Sequence, residues 1–433
     1  MEPLARRATA ENPHAGWFPD RRSFLRAAGF AGMSWLTPVS QLLAQAAEQG
    51  PRGEPAQSII LIWLAGGPSQ LETFDPHPGT MSAGGTRAVA TAVKGIELAE
   101  GFGRLAEQMN NIALVRSMVS KEGDHERGTY VMKTGYRPDP TVVHPSIGAV
   151  CCHELPVGKT EIPRHISILP SQWPGLGGFL GDEYNAFKTG DPAQKVPDLT
   201  AQVPMLRDRR RLEDLDVVEQ AFARGRRERV DATLHRATVA QARTMMTSEQ
   251  LKAFDVMLEP ARLRASYGDT AFGRGCLAAR RLLQVGVRCV EVTLSGWDSH
   301  INNHAIVRNL LTTLDPAFST LIRDLAEHGL LRKTIVLCAG EFGRTPTINP
   351  QGGRDHWPTG FSLALAGGML RTGQAIGKTD PEGKKDPVDP VTIADVHATM
   401  LTALGIDPRK LVASPIGRTL KLSEGQPIRA LLG

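Results

Sequence analysis

The 433-residue sequence has few aromatic residues, little excess charge and no long apolar run. Aromatic residues make up 5% of the chain, and the formal net charge is only +5. Such a small excess gives no support to a general role in binding nucleic acid or anionic membranes. The 44 glycines and 30 prolines are ordinary numbers for this length, which excludes collagen-like and low-complexity chains. No segment predicts a permanent membrane span.

Cysteine is also scarce, with five residues in the whole chain. This excludes a small disulfide-stabilised scaffold, and an odd number leaves at least one thiol unpaired. Cys151 and Cys152 precede His153, but no second Cys/His pair follows at the spacing of a zinc site. We therefore predict that the cysteines are buried and structural.

Residues 1–46 have the pattern of a twin-arginine export signal. The pair Arg21 and Arg22 is followed by a weakly apolar stretch at 27–43 and by an Ala-Gln-Ala cleavage site at 44–46. The pattern predicts export of the folded protein to the periplasm or outside the cell.

Residues 47–433 alternate short apolar segments with helical patterns. This predicts an α/β domain with a mostly parallel central sheet sandwiched by helices. A helical insertion is predicted at about 205–268, a region dense in Arg, Glu, Ala and Leu. Strands are predicted at 58–64, 112–116, 166–169, 289–294, 334–339 and 362–366, and further helices at 270–285, 304–328 and 393–404.

Polar segments follow several predicted strands, where open α/β sheets bind their ligands. The segment 66–76 offers oxygen atoms from residues such as Ser69, although a turn that caps a helix explains it as well. The segment 123–129 contains His125 and Arg127, which suit a metal or an anionic substrate. Capping and ion pairing are the alternatives for these side chains.

The segment 296–304 follows another predicted strand and carries Asp298, His300 and His304. Carboxylate and imidazole groups both bind Zn²⁺ and related cations. The alternative is that Asp298 caps the next helix and the histidines lie on its surface. Three potential ligands within seven positions favour the metal site.

The last polar segment, 340–358, combines carboxylates, guanidinium groups and a histidine. Glu341 and Arg344 follow a predicted strand, and Arg354, Asp355 and His356 lie on a glycine-rich loop. A metal and an arginine together neutralise charge on a phosphoryl or sulfuryl group during its displacement. An internal ion pair between Glu341 and Arg344 is the alternative.

Three motifs give these segments a family resemblance. They are Gly-Trp-Asp-Ser-His at 296–300, Gly-Glu-Phe-Gly-Arg-Thr-Pro at 340–346 and Gly-Arg-Asp-His-Trp-Pro at 353–358. In this order after a twin-arginine leader, they resemble the exported bacterial domain-of-unknown-function 1501 family over nearly the whole mature chain. The resemblance implies the alkaline phosphatase and sulfatase superfamily, whose members process phosphate and sulfate esters with metals at the sheet edge.

The superfamily pattern implies roles for individual residues. Asp298, with His300 or His304, resembles one metal-binding segment, and His356 resembles its distal ligand. Phe342 stands where the superfamily has a histidine, and the first strand lacks its usual terminal acid. Together with the segments described above, the predicted sets are Asp298, His300, His304, Glu341, Asp355 and His356 for metal, His125 and Arg344 for catalysis, and Ser69, Arg127 and Arg354 for substrate.

The sequence therefore predicts an exported metal-dependent hydrolase of phosphate or sulfate esters. The expected cofactor is a divalent cation, with Zn²⁺ favoured over Mn²⁺, Mg²⁺ or Ca²⁺. The expected substrate is an anionic small-molecule or glycan ester. The alternative is a catalytically silent member that binds a polyanion, a glycan or a partner protein, and the two departures from the superfamily pattern favour it.

Overall fold

The computed structural model describes residues 54–197, 199, 203–225 and 235–432. The predicted export signal at 1–46 lies outside these residues, so its assignment stays a prediction. Within the described ranges, we find no helix with the length and apolar character needed to cross a membrane.

The strands and helices are numbered in chain order. The strands are β1 (Ser58–Ala65), β2 (Ala88–Ala90), β3 (Glu97–Ala99), β4 (Ile112–Val119), β5 (His165–Ile168), β6 (Phe187–Thr189), β7 (Cys289–Ser295), β8 (Thr334–Ala339), β9 (Gly343–Arg344), β10 (His356–Trp357), β11 (Phe361–Gly367), β12 (Gln374–Ile376), β13 (Val391–Thr392), β14 (Leu411–Ala413) and β15 (Thr419–Lys421). The helices are α1 (Gly103–Glu107), α2 (His125–Thr134), α3 (Ile147–Glu154), α4 (Met205–Ala223), α5 (His235–Thr247), α6 (Ala261–Ser266), α7 (Ala271–Gln284), α8 (Asn303–Glu327) and α9 (Ile393–Ala403).

Nine of these strands form the central sheet. Their order is β12-β4-β11-β8-β1-β7-β5-β6, and β13 also pairs with β4. Only β11 runs antiparallel to its neighbours, while the other pairs in this sheet are parallel. The predicted mostly parallel α/β fold is confirmed.

Strand β1 shows why the sheet is apolar on both faces. Its side chains alternate between two buried clusters, with Ile60 and Ile62 in one and Leu61 and Trp63 in the other. Each fully buried side chain of this size stabilises the fold by about 1.5–3 kcal/mol. A strand covered by helices on both faces has a nearly continuous apolar sequence, as β1 has.

All six predicted strands are present, as β1, β4, β5, β7, β8 and β11, with ends within three residues of those predicted. The three predicted helices outside the insertion correspond to α7, α8 and α9. Helix α2 was not predicted, because its polar start at 124–127 was interpreted as a ligand segment. Helix α3 was also missed.

The predicted insertion at about 205–268 contains α4, α5 and α6, with residues 226–234 outside the description. Most described side chains of α4 are exposed or half-buried, including Val217 and Phe222. The extent of this region as a separate unit remains a prediction.

All five cysteines lie among the described residues, and each is buried and unpaired. Burial raises the pKa of the Cys152 thiol to about 12 and that of Cys276 above its ordinary range. These thiols are therefore protonated and unreactive in the folded protein, in agreement with their predicted structural role.

Candidate metal centre

Strands β1, β7 and β8 end side by side at one edge of the sheet. Ala65 at the end of β1 is in register with Ser295 of β7, and Trp63 is in register with Ala339 of β8. The loops after these strands carry three of the four polar segments described above. Because all three strands are parallel, their loops meet at the edge where such sheets bind ligands.

Gly66 allows the loop after β1 to approach the loop after β7. Its φ is +119°, and a Cβ at this position would lie 2.4 Å from the backbone nitrogen of Asp298. Only glycine fits such a conformation and such a contact. The Gly66 N–H also donates a hydrogen bond of 2.9 Å to Glu341 Oε1. The glycine thus brings the loops after β1, β7 and β8 together.

Helix α2 positions His125, its first residue. The Asp124 side chain caps the helix by accepting a hydrogen bond of 2.9 Å from the Arg127 N–H. One turn along, a Cβ at Gly128 would lie 3.0 Å from the Phe342 ring, so this glycine lets the helix approach the loop after β8. His125 Nδ1 lies 2.7 Å from Glu341 Oε1 as a result.

The short strand β10 positions His356. It pairs antiparallel with β9, which places His356 opposite Arg344. His356 Nδ1 lies 2.7 Å from the carbonyl oxygen of Gly123, just before α2. The imidazole ring also packs against the ring of Phe342, with centroids 4.5 Å apart. These contacts turn Nε2 of His356 toward the edge of the sheet.

Four side chains converge there, and we call them the Asp-His cluster: His125, Asp298, His300 and His356. Ligand atoms of His125, Asp298 and His356 all lie within 4.8 Å of one another. His125 Nε2 is 3.4 Å from Asp298 Oδ2, and His356 Nε2 is 3.5 Å from Oδ1. His300 Nε2 lies 3.1 Å from Asp298 Oδ1 and 3.0 Å from His356 Nε2.

The hydrogen bonds behind the rings fix which nitrogen carries the proton. Nδ1 of His300 faces Asp355 Oδ1 at 2.8 Å, and Nδ1 of His356 faces a carbonyl oxygen. Both partners only accept, so both Nδ1 atoms donate, and a ring that is neutral carries a lone pair on Nε2. With both rings neutral, these lone pairs lie 3.0 Å apart and repel each other unless a cation lies beside them. Nitrogen atoms bound tetrahedrally to one Zn²⁺ are about 3.3–3.4 Å apart, so a small outward shift of the rings would accommodate the metal.

His125 provides a second indication that the cluster suits a cation. Its Nε2 is buried and has no hydrogen-bond partner among the described residues. The hydrogen bond to Glu341 raises the pKa of His125, whereas burial lowers the pKa of His356. Burial alone would raise the pKa of Asp298, but the hydrogen bond and charge of Arg344 outweigh it and lower this pKa. Asp298 is therefore an ionised ligand candidate.

The residues present fit a divalent cation. Three imidazole nitrogens and one carboxylate are the ligand types that Zn²⁺ and other transition metals prefer. Each imidazole is held from behind by an oxygen, as metal-binding histidines usually are. His125, predicted as a catalytic group, thus joins the candidate ligands.

Glu341 and Asp355, both predicted as metal ligands, occupy the layer behind the histidines. Glu341 is 2% exposed and holds His125 Nδ1 and the Gly66 N–H through Oε1. Asp355 is exposed and holds His300 Nδ1, which lowers the pKa of its carboxyl group. Their hydrogen bonds make both carboxylates orienting groups, and Glu341 Oε2, which is buried without a hydrogen-bond partner among the described residues, stays a candidate ligand.

The predicted catalytic role of Arg344 and the predicted substrate contact of Arg354 need correction. Both side chains are fully buried. Arg344 donates to the carbonyl oxygens of Gly66, Gly67 and Arg354 and to Asp298 Oδ1. Arg354 donates to three carbonyl oxygens and to the carboxylate of Glu72. The terminal nitrogens of both guanidinium groups donate to the protein, and burial withdraws both side chains from substrate.

His304 also needs correction as a metal ligand. Its Nε2 lies 3.1 Å from the carbonyl oxygen of Ala83 and 3.3 Å from Glu72 Oε1, outside the Asp-His cluster. His304 and Glu72 border a separate cavity of about 620 Å³. Ser69, predicted to bind substrate, is fully buried, and its hydroxyl has no hydrogen-bond partner among the described residues.

Arg127 is the predicted substrate contact that stays accessible. Its side chain is 61% exposed, two positions after His125. Nε lies 2.6 Å from Asp124 Oδ2 and 3.3 Å from Glu122 Oε2, which leaves the terminal nitrogens outside these contacts.

Two groups in the site were not predicted from the sequence. The carbonyl of Gly123 orients His356, but a backbone carbonyl has no residue-type signal. Asn349 donates hydrogen bonds to the His300 carbonyl oxygen and to Asp355 Oδ1, at 3.0 and 3.3 Å. The sequence feature that could have identified Asn349 is its position in the glycine-rich loop before Asp355.

A family model described as "Protein of unknown function (DUF1501)" matches residues 56–432. No curated protein matches the sequence. Among solved structures, the chain is similar to the lipoteichoic acid synthase LtaP from Listeria monocytogenes, with 10% identity, a TM-score of 0.38 and coverage of 89% of this chain and 78% of that one. It is also similar to the PsFucS1 sulfatase from Pseudoalteromonas sp., with 14% identity, a TM-score of 0.38 and coverage of 85% of this chain and 70% of that one. The alkaline phosphatase from the Antarctic bacterium TAB5 is similar with 12% identity, a TM-score of 0.36 and coverage of 82% of this chain and 99% of that one.

Proposed function

The chain belongs to the DUF1501 family of proteins of unknown function, and from that premise we propose that it is an exported metal-dependent hydrolase of phosphate or sulfate esters. One observation carries the proposal: the convergence of three oriented imidazoles on Asp298, with lone pairs on Nε2 atoms 3.0 Å apart. This arrangement is costly without a cation and favourable with one. The ester chemistry comes from the resemblance of the sequence motifs.

The residues of the chain have separate tasks in this proposal. His125, Asp298 and His356 would hold the cation, with His300 as the fourth ligand. Glu341 and Asp355 keep the protons of His125 and His300 on Nδ1. A bound divalent cation would supply Lewis-acid polarisation of an ester oxygen and a water of lowered pKa. Arg127 is the accessible guanidinium that would bind the anionic group of the substrate.

The test combines metal analysis with a substrate screen. Purified protein is expected to contain Zn²⁺ or Mn²⁺ and to hydrolyse chromogenic phosphate or sulfate esters. Asp298→Ala and His356→Ala should lose both the metal and the turnover. Asp407→Ala and His153→Ala, at exposed positions outside the cluster, are the matched controls and should retain both. Turnover that is unchanged in Asp298→Ala and His356→Ala would refute the hydrolase.

A second candidate function is a catalytically silent protein that uses the same cation to bind an anionic ligand. Burial of Arg344 and Arg354 favours it, because two of the guanidinium groups predicted to handle the substrate are committed to the fold. In that case the metal is present, no ester is turned over, and phosphate or sulfate binds with an affinity that Asp298→Ala abolishes.

A further inference from the structure

Arg344 places a buried positive charge directly beside the Asp-His cluster. Nη2 lies 2.6 Å from Asp298 Oδ1, and the side chain has no exposed surface. Its other acceptors, on Gly66, Gly67 and Arg354, are neutral carbonyl oxygens. Asp298 is therefore the anionic partner of this guanidinium and, at the same time, the carboxylate of the cluster.

The charges at the site limit how many cations it accommodates. Three carboxylates belong to the cluster or contact it directly. Asp298 is a member, and Glu341 and Asp355 contact its histidines. One divalent cation together with the Arg344 guanidinium balances these three negative charges if the histidines are neutral. A second divalent cation would leave two positive charges in excess at a partly buried site, where like charges repel strongly.

The ligand atoms at the centre are also grouped around one carboxylate, that of Asp298. Asp298 Oδ1 already faces Arg344, and Glu341 Oε1 is occupied by His125 and Gly66, while Glu341 Oε2 is buried without a hydrogen-bond partner among the described residues. Phe342, which follows Glu341, brings an apolar ring to the centre instead of a ligand. Among the described residues, the compact set of ligand atoms is the one around Asp298.

We infer that this centre holds a single divalent cation per chain and that the Arg344 guanidinium is its fixed second positive charge. The inference rests on the proposed metal centre. It assigns Arg344 a positioning and electrostatic role toward Asp298, in place of the catalytic role predicted from the sequence.

The first test counts ions on the wild-type protein, so it does not depend on the folding of a variant. Protein stripped with a chelator is titrated with Mn²⁺ and with Zn²⁺, and bound metal is measured after desalting. One equivalent per chain is expected. Two equivalents would overturn the inference and leave the hydrolase intact. One equivalent without ester turnover would refute the hydrolase and leave the inference intact, whereas no bound metal would refute both.

The second test separates the charge of Arg344 from its shape. Arg344→Lys keeps a positive charge and Arg344→Met removes it, and both lose the guanidinium hydrogen bonds. Without the repelling charge, the Met variant is expected to bind Mn²⁺ about tenfold more tightly than the Lys variant. Equal affinities would overturn the electrostatic role. If either variant fails to fold by circular dichroism, the ion count on the wild type decides the inference.

Discussion

At the scale of single residues, the site depends on how its histidines are held from behind. Glu341 and Asp355 make similar hydrogen bonds to His125 and His300, at 2.7 and 2.8 Å. Their surroundings differ, because Glu341 is 2% exposed and the Asp355 side chain is 58% exposed. Water is able to replace the exposed carboxylate but not the buried one. The two residues therefore form a matched pair for testing the orienting role.

We expect Glu341→Ala to weaken Zn²⁺ binding by about 10–100-fold, the usual effect of losing a group that orients a metal ligand. Asp355→Ala should change the affinity by no more than about threefold, because exposed ion pairs contribute little. The measurement is competition with a chromophoric chelator at pH 7.5. Equal losses in the two variants would contradict the role of burial.

His397 is a histidine of α9 that lies outside the site. It is 2% exposed, and its Nε2 donates to the carbonyl oxygen of Met132 at 2.9 Å. Burial lowers the pKa of His397 to about 4. The folded protein thus keeps this ring neutral where the unfolded chain would bind a proton.

This lowered pKa predicts a loss of stability in acid. The contribution of His397 is complete above the unfolded pKa of about 6.5 and is lost as the pH falls toward 4, by about 3 kcal/mol in total. In His397→Gln, whose amide is able to donate the same hydrogen bond, the free energy of unfolding should fall correspondingly less between pH 7 and 4.5. Urea denaturation of chelator-treated protein at the two pH values measures this difference. Parallel pH curves for the two proteins would contradict the prediction.

At the scale of elements, helix α2 carries His125 at its first turn and is anchored to the sheet at its last. Lys133 Nζ lies 2.9 Å from Glu291 Oε1 of β7, and both side chains are buried. The ammonium group also donates to the carbonyl oxygen of Trp173 and lies 4.8 Å from the ring centroid of Trp63. The strands were predictable because apolar runs determine them locally, whereas this anchor joins residues far apart in the sequence.

Lys133→Met should destabilise the protein by about 3–5 kcal/mol, because it leaves the Glu291 carboxylate buried without its partner. The double variant Lys133→Met/Glu291→Met should recover most of this loss. Urea unfolding provides the measurement. Arg209→Ala, which breaks the exposed pair with Glu213 on α4, is the control and should cost less than about 1 kcal/mol. A double variant no more stable than Lys133→Met would contradict this explanation.

At the scale of the whole molecule, the sequence was sufficient for six of the nine strands of the sheet but only partly for the site. Asp298, His300 and His356 were predicted to share a cation, and the structure brings them together. His125 was assigned to catalysis and His304 to the metal, since spacing along the chain does not show which way a side chain faces. The place of His125 follows from the start of α2, which the sequence pattern did not reveal, whereas His304 lies on α8 and faces Ala83 and Glu72.

The cluster joins residues that are far apart in the sequence. A bound cation therefore stabilises the folded chain as a whole. His125, Asp298 and His356 come from α2, from the loop after β7 and from β10, and they meet only in the folded chain. A cation at 100 times its dissociation constant should therefore raise the free energy of unfolding by about 2.7 kcal/mol. Thermal unfolding of chelator-treated protein across a Mn²⁺ series should show a midpoint that rises with metal concentration. Asp298→Ala/His356→Ala should show a flat midpoint, and an equal rise in this variant would mean that the cation stabilises the fold from another site.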